Sequence, residues 1–173
     1  MKILLCGFMG CGKTSIGKRT AKLLNYKFVD MDIYIENKEN LTVKEIFAKK
    51  GESYFRDLET KICAELCQFD NIIIASGGGT VMKKENIEVL NKANCKIIFI
   101  EVPIKALQER LKRDTRRPLL QRNDRNEFIE NLYNERYPVY KKVCDITFDG
   151  AAPTIYLAKK LASLINSLDN ILC

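Results

Sequence analysis

Residues 6–15 read Cys6-Gly7-Phe8-Met9-Gly10-Cys11-Gly12-Lys13-Thr14-Ser15, or CGFMGCGKTS, and this stretch is the strongest indication of the fold class. It matches the pattern G-x-x-x-x-G-K-[ST] in full, between a strand-like run at 2–6 and a helical stretch at 13–24. Glycines in such a loop let backbone N–H groups turn inward around phosphate oxygens. We expect Lys13 to reach the β- and γ-phosphates of a nucleotide and Thr14 to ligate Mg²⁺. The stretch predicts a phosphate donor but does not name the acceptor.

Strand-like runs alternate with helical stretches along the rest of the chain. The runs lie at 2–6, 26–30, 71–75, 96–101 and 145–148. This alternation predicts one α/β domain over residues 1–173, a three-layer sandwich in which a five-stranded parallel sheet is flanked by helices. The run at 71–75 is the most apolar, and we expect it to be central in the sheet. Thr42 and Glu45 have capping-box spacing, and Gly51 separates the helix that they begin from another at about 53–69.

Composition excludes several kinds of site. The chain has no histidine, which excludes Ser-His-Asp and Cys-His nucleophiles and histidine-ligated metals. Its seven cysteines include no C-x-x-C pair, which indicates reduced thiols. No apolar run approaches the ~20 residues needed to span a bilayer, so we expect a cytoplasmic protein with no membrane partner. The net charge of +7 fits a basic surface without a special partner, attraction of small anions, or nucleic-acid binding.

Two carboxylates follow the second strand. Asp30 and Asp32 flank Met31, and in extended backbone residues two apart point the same way, so both side chains could face the ligand crevice. One carboxylate could then organise Mg²⁺ through its water shell, and the other could take a proton from an attacking hydroxyl. The alternative is that either aspartate simply caps the next helix.

The run at 71–75 ends in Ser76-Gly77-Gly78-Gly79. Three glycines at the carboxyl end of a buried strand favour close approach of the backbone to a ligand, whereas a tight turn alone needs one or two. No carboxylate ends this strand, although switch and motor nucleoside triphosphatases usually have a magnesium-binding aspartate there. The pattern therefore disfavours those two classes.

Arginines are concentrated in one irregular segment. Residues 113–125 contain five arginines and a proline, which fits either a solvated loop or a cationic lid over an anionic site. Arg56 and Arg136 lie in helical segments, where an arginine is usually a surface residue, and their sequence positions alone do not bring them together.

Taken together, these motifs resemble the shikimate kinase family. The matching elements are GFMGCGKTS, DMD at 30–32, the I-F-x-x-x-G-E-x-x-F-R-x-x-E run at 46–59, SGGG at 76–79, RPLL at 117–120 and E-R-x-P-x-Y at 135–140. The resemblance covers nearly the whole chain, and the order and spacing of the elements make it specific. It implies a P-loop kinase fold of the nucleoside monophosphate kinase type. It also implies transfer of the γ-phosphoryl group of ATP to the 3-hydroxyl of shikimate, a step toward chorismate and the aromatic amino acids.

The resemblance implies roles at the donor end of the site. The residues expected to hold the nucleotide phosphates are Gly10, Cys11, Gly12, Lys13, Thr14 and Ser15. Mg²⁺ is expected on Thr14, with Asp30 supporting it through water. Arg117 is expected to close on the phosphates from a lid at about 112–125, and Arg110 to lie near the adenine end. Lys13, Arg117 and Asp32 are the expected catalytic residues.

The resemblance also implies an acceptor site in a helical region at about 31–62 and the glycine loop. Asp32 is expected to hydrogen-bond the shikimate hydroxyls and to act as the base. Arg56 and Arg136 are expected to bind the substrate carboxylate, because a guanidinium fork can contact both oxygens. Gly78 and Gly79 are expected to offer their backbone nearby.

Two positions depart from the family pattern. Members often carry an arginine against adenine in the loop before the last helix, whereas residues 149–154 here contain none. The family pattern therefore does not identify which residues of this chain contact adenine. Cys11 stands where serine or alanine is common, and we hypothesise that its thiol is sensitive to oxidation.

Three other functions share features with this sequence. A gluconate kinase shares the architecture and also binds a carboxylate and hydroxyls. A nucleoside monophosphate kinase also has an arginine-rich lid. A nucleotide or RNA binder without catalysis would use the net charge of +7, but the chain shows no platform of interleaved aromatic and basic residues. We expect ATP and shikimate as partners, no nucleic acid, and a monomer.

Overall fold

The computed structural model describes residues 1–112, 120 and 123–172. The strands are β1 Lys2–Cys6, β2 Lys27–Asp30, β3 Ile72–Ala75, β4 Cys95–Glu101 and β5 Ile146–Asp149. The helices are α1 Lys13–Leu24, α2 Met31–Glu39, α3 Val43–Leu66, α4 Lys84–Lys92, α5 Ile104–Leu111, α6 Arg125–Val143 and α7 Thr154–Leu172, with a 3-10 turn at Thr80–Met82. Each predicted strand is present with its bounds within one residue of those expected.

The five strands form one parallel sheet in the order β2-β3-β1-β4-β5. Lys2 of β1 pairs with Ile72 of β3 on one side and with Cys95 of β4 on the other. The predicted five-stranded parallel sheet is therefore confirmed. The prediction that 71–75 is the central strand is wrong, because β1 takes that position and β3 lies next to it. The apolarity of β3 indicates a strand with neighbours on both sides, and it does not distinguish between two such interior positions.

Helices cover both faces of the sheet. All four residues of β3 are buried, and because successive strand residues point to opposite faces, neither face is open to solvent there. On one side α1 packs on α7, and the Thr20 hydroxyl donates a hydrogen bond to the Ala158 carbonyl. Helix α3 packs against α2 and α4. This is the predicted three-layer architecture.

Helix α3 has a break that the sequence predicts. The capping box at its start is complete, since the Thr42 side chain accepts from the Glu45 N–H while the Glu45 carboxylate accepts from the Thr42 N–H. Gly51 then has φ 82° and ψ 168°, a conformation that essentially only glycine adopts. The helical segment after Gly51 carries Arg56 and Glu59 toward the sheet.

The carboxyl ends of β1, β2 and β3 lie side by side at one edge of the sheet. The phosphate-loop motif follows β1, Asp30 ends β2, and the glycines of 77–79 follow β3. Ligands of open α/β sheets bind at this edge, where the connections that leave neighbouring strands run to opposite sides, as those from β1 to β2 and from β3 to β4 do here. Among the described residues, no helix combines the length and apolarity needed to cross a membrane.

Candidate active site

The loop after β1 has the backbone geometry of a phosphate cradle. Gly7, Gly10 and Gly12 have φ values of 141°, 79° and 98°, which side-chain-bearing residues rarely adopt. Gly12 caps α1 without any side-chain hydrogen bond to the free N–H groups of the first turn. Those N–H groups and the positive end of the helix are therefore available to an anion.

Lys13 lies over this loop. Its ammonium donates to the Gly7 carbonyl at 2.8 Å and to the Phe8 carbonyl at 3.1 Å. The Cys11 sulfur lies 3.7 Å from the same nitrogen, and Cys11 is buried with 1% of its surface exposed. A bound phosphate would replace carbonyl oxygens as the partner of this cation. The hypothesis that Cys11 is oxidised stays a prediction, and its burial limits access of an oxidant to the thiol.

Thr14 and Asp30 bring two oxygen atoms together beside the loop. The Thr14 hydroxyl donates to Oδ2 of Asp30 at 2.6 Å. Hydroxyl and carboxylate oxygens suit Mg²⁺, which usually keeps several waters and takes one or two protein ligands alongside substrate phosphates. Among the described residues, no three Cys, Asp or Glu side chains cluster as a metal cage. The donor set therefore fits Mg²⁺ bound together with a nucleotide.

The backbone argument that placed Asp30 and Asp32 on one extended segment is wrong. Asp30 ends β2 and caps α2, where its Oδ1 accepts from the Ile33 N–H at 3.4 Å, and Asp32 lies in the first turn of α2. The capping interpretation therefore holds for Asp30. The two carboxylates are still close enough for the charge of Asp30 to act on Asp32.

Asp32 has a strongly perturbed acidity. Its pKa is raised from 3.8 to about 6, chiefly because burial disfavours the charged form. The negative charges of Asp30 and Glu59 raise the pKa further, and the ammonium of Lys13 opposes them. A carboxylate with a pKa near neutrality is suited to general-base catalysis.

The glycines after β3 are in close contact with the charged side chains. A Cβ atom on Gly77 would lie 2.9 Å from Oδ1 of Asp32, and one on Gly79 would lie 2.8 Å from Nη1 of Arg56. A Cβ on Gly78 would lie 3.2 Å from Nη1 of Arg136. The lack of side chains in this loop is therefore what allows it to lie among these groups.

Arg56 and Arg136, which are 80 residues apart in the sequence, line one cleft of about 460 Å³. Arg56 donates to Glu52 at 3.0 Å and to Glu59 at 2.6 Å. Nε of Arg136 is buried and has no hydrogen-bond acceptor among the residues that the structure describes. Two cations facing one cleft, one of them with an unused donor, form a site that suits a small carboxylate.

Sequence analysis did not identify Glu59, Thr80 and Tyr140 as site residues. Glu59 is 1% exposed and accepts from Arg56 and, at 2.6 Å, from the Thr80 hydroxyl. Tyr140 is fully buried and donates to the Gly78 carbonyl at 2.6 Å. Glu59 lies three residues after Arg56 and Tyr140 four after Arg136, and this spacing carried a signal, since residues three or four apart share a helix face. Thr80 lies in the 3-10 turn and had no such signal.

Arg110 connects the phosphate loop with the connection between β5 and α7. Its guanidinium donates to the Gly10 carbonyl at 3.4 Å and to the Gly150 carbonyl at 3.1 Å. Ser15 lies exposed in the first turn of α1. Arg117 and most of the predicted lid lie outside the described residues, and Arg125, which was counted within the lid, begins α6.

Comparison with known proteins gives one consistent family. A sequence model described as shikimate kinase matches residues 9–166. A shikimate kinase of Clostridium botulinum (strain Eklund 17B / Type B) is 48% identical over 143 residues, which are 83% of this chain and 84% of that protein. The structure of shikimate kinase from Acinetobacter baumannii in complex with shikimate has a TM-score of 0.88 and 35% identity, covering 96% of this chain and 93% of that one.

More distant structures share the fold. A gluconokinase from Sinorhizobium meliloti has a TM-score of 0.63 at 16% identity, covering 99% of this chain and 94% of that one. At that level of identity the likeness concerns architecture alone. It agrees with the predicted P-loop kinase fold of the nucleoside monophosphate kinase type.

Proposed function

The chain belongs to the shikimate kinase family, and from that membership we propose that it transfers the γ-phosphoryl group of ATP to the 3-hydroxyl of shikimate. The products are shikimate 3-phosphate and ADP, and the reaction serves the synthesis of chorismate and the aromatic amino acids. The observation that carries the proposal is the convergence of Arg56 and Arg136 on one cleft beside Gly79. Two guanidinium groups there match the single carboxylate of shikimate, and the phosphate loop lies at the same edge of the sheet.

At the donor end, backbone N–H groups of residues 10–15 and the Lys13 ammonium bind the phosphates of ATP. Lys13 exchanges its contacts with the Gly7 and Phe8 carbonyls for phosphate oxygens. Thr14 and Asp30 would hold Mg²⁺, directly and through water, and the ion would neutralise phosphate charge. Arg110, which contacts both the phosphate loop and Gly150, lies where it can border the adenine end.

At the acceptor end, the arginine pair binds the carboxylate and orients the ring of shikimate. Asp32 accepts a hydrogen bond from the 3-hydroxyl and takes its proton as the oxygen attacks the γ-phosphorus. A new O–P bond forms, the bond between that phosphorus and the β,γ-bridging oxygen breaks, and ADP leaves. The raised pKa of Asp32, about 6, supports this role, because the carboxyl group is ionised at neutral pH and still basic enough to take a proton.

The proposed lid completes the site. Arg117 closes on the transferring phosphoryl group and stabilises its developing charge, an effect of about 10³–10⁵ in rate where arginine fingers act. Closure also excludes water, which would otherwise compete with shikimate for the phosphoryl group. This role rests on the R-P-L-L motif at 117–120.

Family membership and the net charge also bear on the cellular setting of the protein. A monomer in the cytoplasm that binds ATP and shikimate, and neither nucleic acid nor a membrane, is consistent with the family. The positive charge then serves to attract two anionic substrates.

One assay tests the function against its nearest rivals. The protein is incubated with MgATP and with shikimate, gluconate, AMP or no acceptor, and ADP release is followed. We expect turnover with shikimate alone. Equal rates with gluconate would favour the sugar-acid kinase alternative, and no turnover with any acceptor would contradict a kinase function.

A further inference from the structure

Helix α6 carries a ladder of tyrosines that connects the phosphate loop after β1 with the glycine loop at 77–79. Tyr133, Tyr137 and Tyr140 lie at positions i, i+4 and i+7, so they share one face of the helix. The Tyr133 ring meets Phe8 of the phosphate loop edge-on at 5.5 Å between centroids and stacks on Tyr137 at 5.4 Å. The Tyr140 ring stacks on Phe99 of β4 at 5.1 Å. These rings fix α6 against β4 between the donor and acceptor ends of the site.

The three hydroxyl groups of this ladder have different acceptors. Tyr133 donates to the Val102 carbonyl at 3.4 Å, and Tyr137 donates to Oε1 of Glu101 at 2.6 Å. Tyr140 donates to the Gly78 carbonyl at 2.6 Å. Of the three, Tyr140 alone contacts the glycine loop. Burial raises the pKa of Tyr140 above its ordinary value, which keeps the hydroxyl protonated as a donor.

Arg136 lies one helical turn before Tyr140 and contacts the same glycine. A Cβ on Gly78 would lie 3.2 Å from Nη1 of Arg136 and 3.8 Å from the Tyr140 hydroxyl. Two side chains of α6 thus meet Gly78 from one helix. Because the Tyr140 side chain is fully buried and stacked on Phe99, it can hold the peptide in one place.

We propose that Tyr140 is a positioning residue for the acceptor substrate, acting through the Gly78 carbonyl. Its hydroxyl fixes the peptide plane of Gly78 beside the Arg136 guanidinium. The Gly78 backbone and Arg136 are then already in place when the carboxylate of shikimate binds. Tyr140 itself touches neither substrate. The inference rests on the proposed function, since it assigns Gly78 and Arg136 to the binding of shikimate.

The test compares Tyr140→Phe with Tyr137→Phe, which removes a hydroxyl from the same ladder but at Glu101. We expect Tyr140→Phe to raise KM for shikimate about three- to tenfold, the usual effect of losing one hydrogen bond. KM for ATP should change little. The midpoint of thermal unfolding should fall only by the modest amount expected for one lost hydrogen bond, because the ring and its stacking remain. Tyr137→Phe should leave both KM values unchanged. Replacing Tyr140 with 4-aminophenylalanine, which keeps a donor, should restore KM toward the unmodified value.

Each outcome separates this inference from the function on which it rests. No turnover of shikimate by the unmodified protein would refute the proposed function. An active protein whose Tyr140→Phe variant keeps its KM for shikimate would overturn the positioning role alone. Equal rises in KM for both substrates, or a Tyr140→Phe variant that does not fold, would assign Tyr140 to the core and also overturn that role.

Discussion

Oε2 of Glu59 lies 2.6 Å from Nη1 of Arg56, and this contact fixes the direction in which the guanidinium group points. Glu59 is buried, and its other oxygen accepts from the Thr80 hydroxyl. A carboxylate held on both sides is a rigid anchor. The anchor orients Arg56 toward the cleft that it shares with Arg136.

Glu59→Gln should weaken the binding of shikimate. The neutral amide keeps the size of the side chain but removes the negative charge that pairs with the Arg56 cation. We expect KM for shikimate to rise about tenfold. The free energy of unfolding should fall by about 1–2 kcal/mol, which is less than is usual when one partner of a buried ion pair is removed, because Arg56 keeps its contact with Glu52. Steady-state kinetics and thermal melting measure both effects.

Glu52→Gln is the matched control, because Glu52 binds the same guanidinium from an exposed position. Loss of the ion pair between Arg56 and Glu52 should lower the free energy of unfolding by less than about 1 kcal/mol, as for other exposed ion pairs. It should change KM for shikimate little. If the two variants had equal kinetic effects, the anchoring role of Glu59 would be refuted.

The pH dependence of turnover should report the ionisation of Asp32. Its pKa of about 6 lies above the ordinary value because of burial and the charges of Asp30 and Glu59. With MgATP saturating, kcat/KM for shikimate should rise with pH, with a midpoint near this pKa, and then level off, since a base must be unprotonated to act. In Glu59→Gln the midpoint should move to lower pH, because one negative charge is gone. A profile that is flat across this range would contradict the role of Asp32 as the base.

Asp32→Asn should be nearly inactive and yet more stable than the unmodified protein. Losing the base should lower kcat by about 10²–10⁴. The raised pKa of Asp32 means that the folded state binds its proton more tightly than the unfolded chain does, so ionisation costs stability as pH rises from about 4 to about 6. The variant lacks this cost, which we put at about 1–3 kcal/mol above that range.

Thermal melting of Asp32→Asn and the unmodified protein at a series of pH values checks this prediction. The difference in unfolding free energy should vanish below the unfolded pKa of 3.8 and be complete above the folded one of about 6. A variant that is less stable than the unmodified protein at neutral pH would show that the surroundings of Asp32 do not disfavour its ionised form.

Local parts of the structure follow from the sequence, because local rules determine them. The helix at Lys13–Leu24 has the predicted bounds, since the glycines before it leave little choice of where a helix can begin. The break at Gly51 was also predicted, and its backbone angles explain why glycine is needed there. Such features depend on residues within a few positions of one another.

Features that depend on long-range contacts did not follow in the same way. The sequence could not distinguish β1 from β3 as the central strand, because both are apolar and interior. It suggested an extended backbone for Asp30 and Asp32, whereas α2 begins at Met31. Arg56 and Arg136 meet only because α3 and α6 fold to the same end of the sheet. Their joint role came from family resemblance and not from the spacing of the residues.

Arg110→Ala should weaken the binding of ATP while leaving the binding of shikimate unchanged. The Arg110 guanidinium connects the phosphate loop at Gly10 with the β5–α7 connection at Gly150, and truncation removes both contacts. Because each is a charge-assisted hydrogen bond to a carbonyl, we expect KM for ATP to rise about tenfold. The control is Lys105→Ala, which removes an exposed cation from the same helix, α5, outside the predicted lid. Initial rates over a grid of both substrates separate the two KM values, and an equal rise in both would contradict the assignment of Arg110 to the donor end.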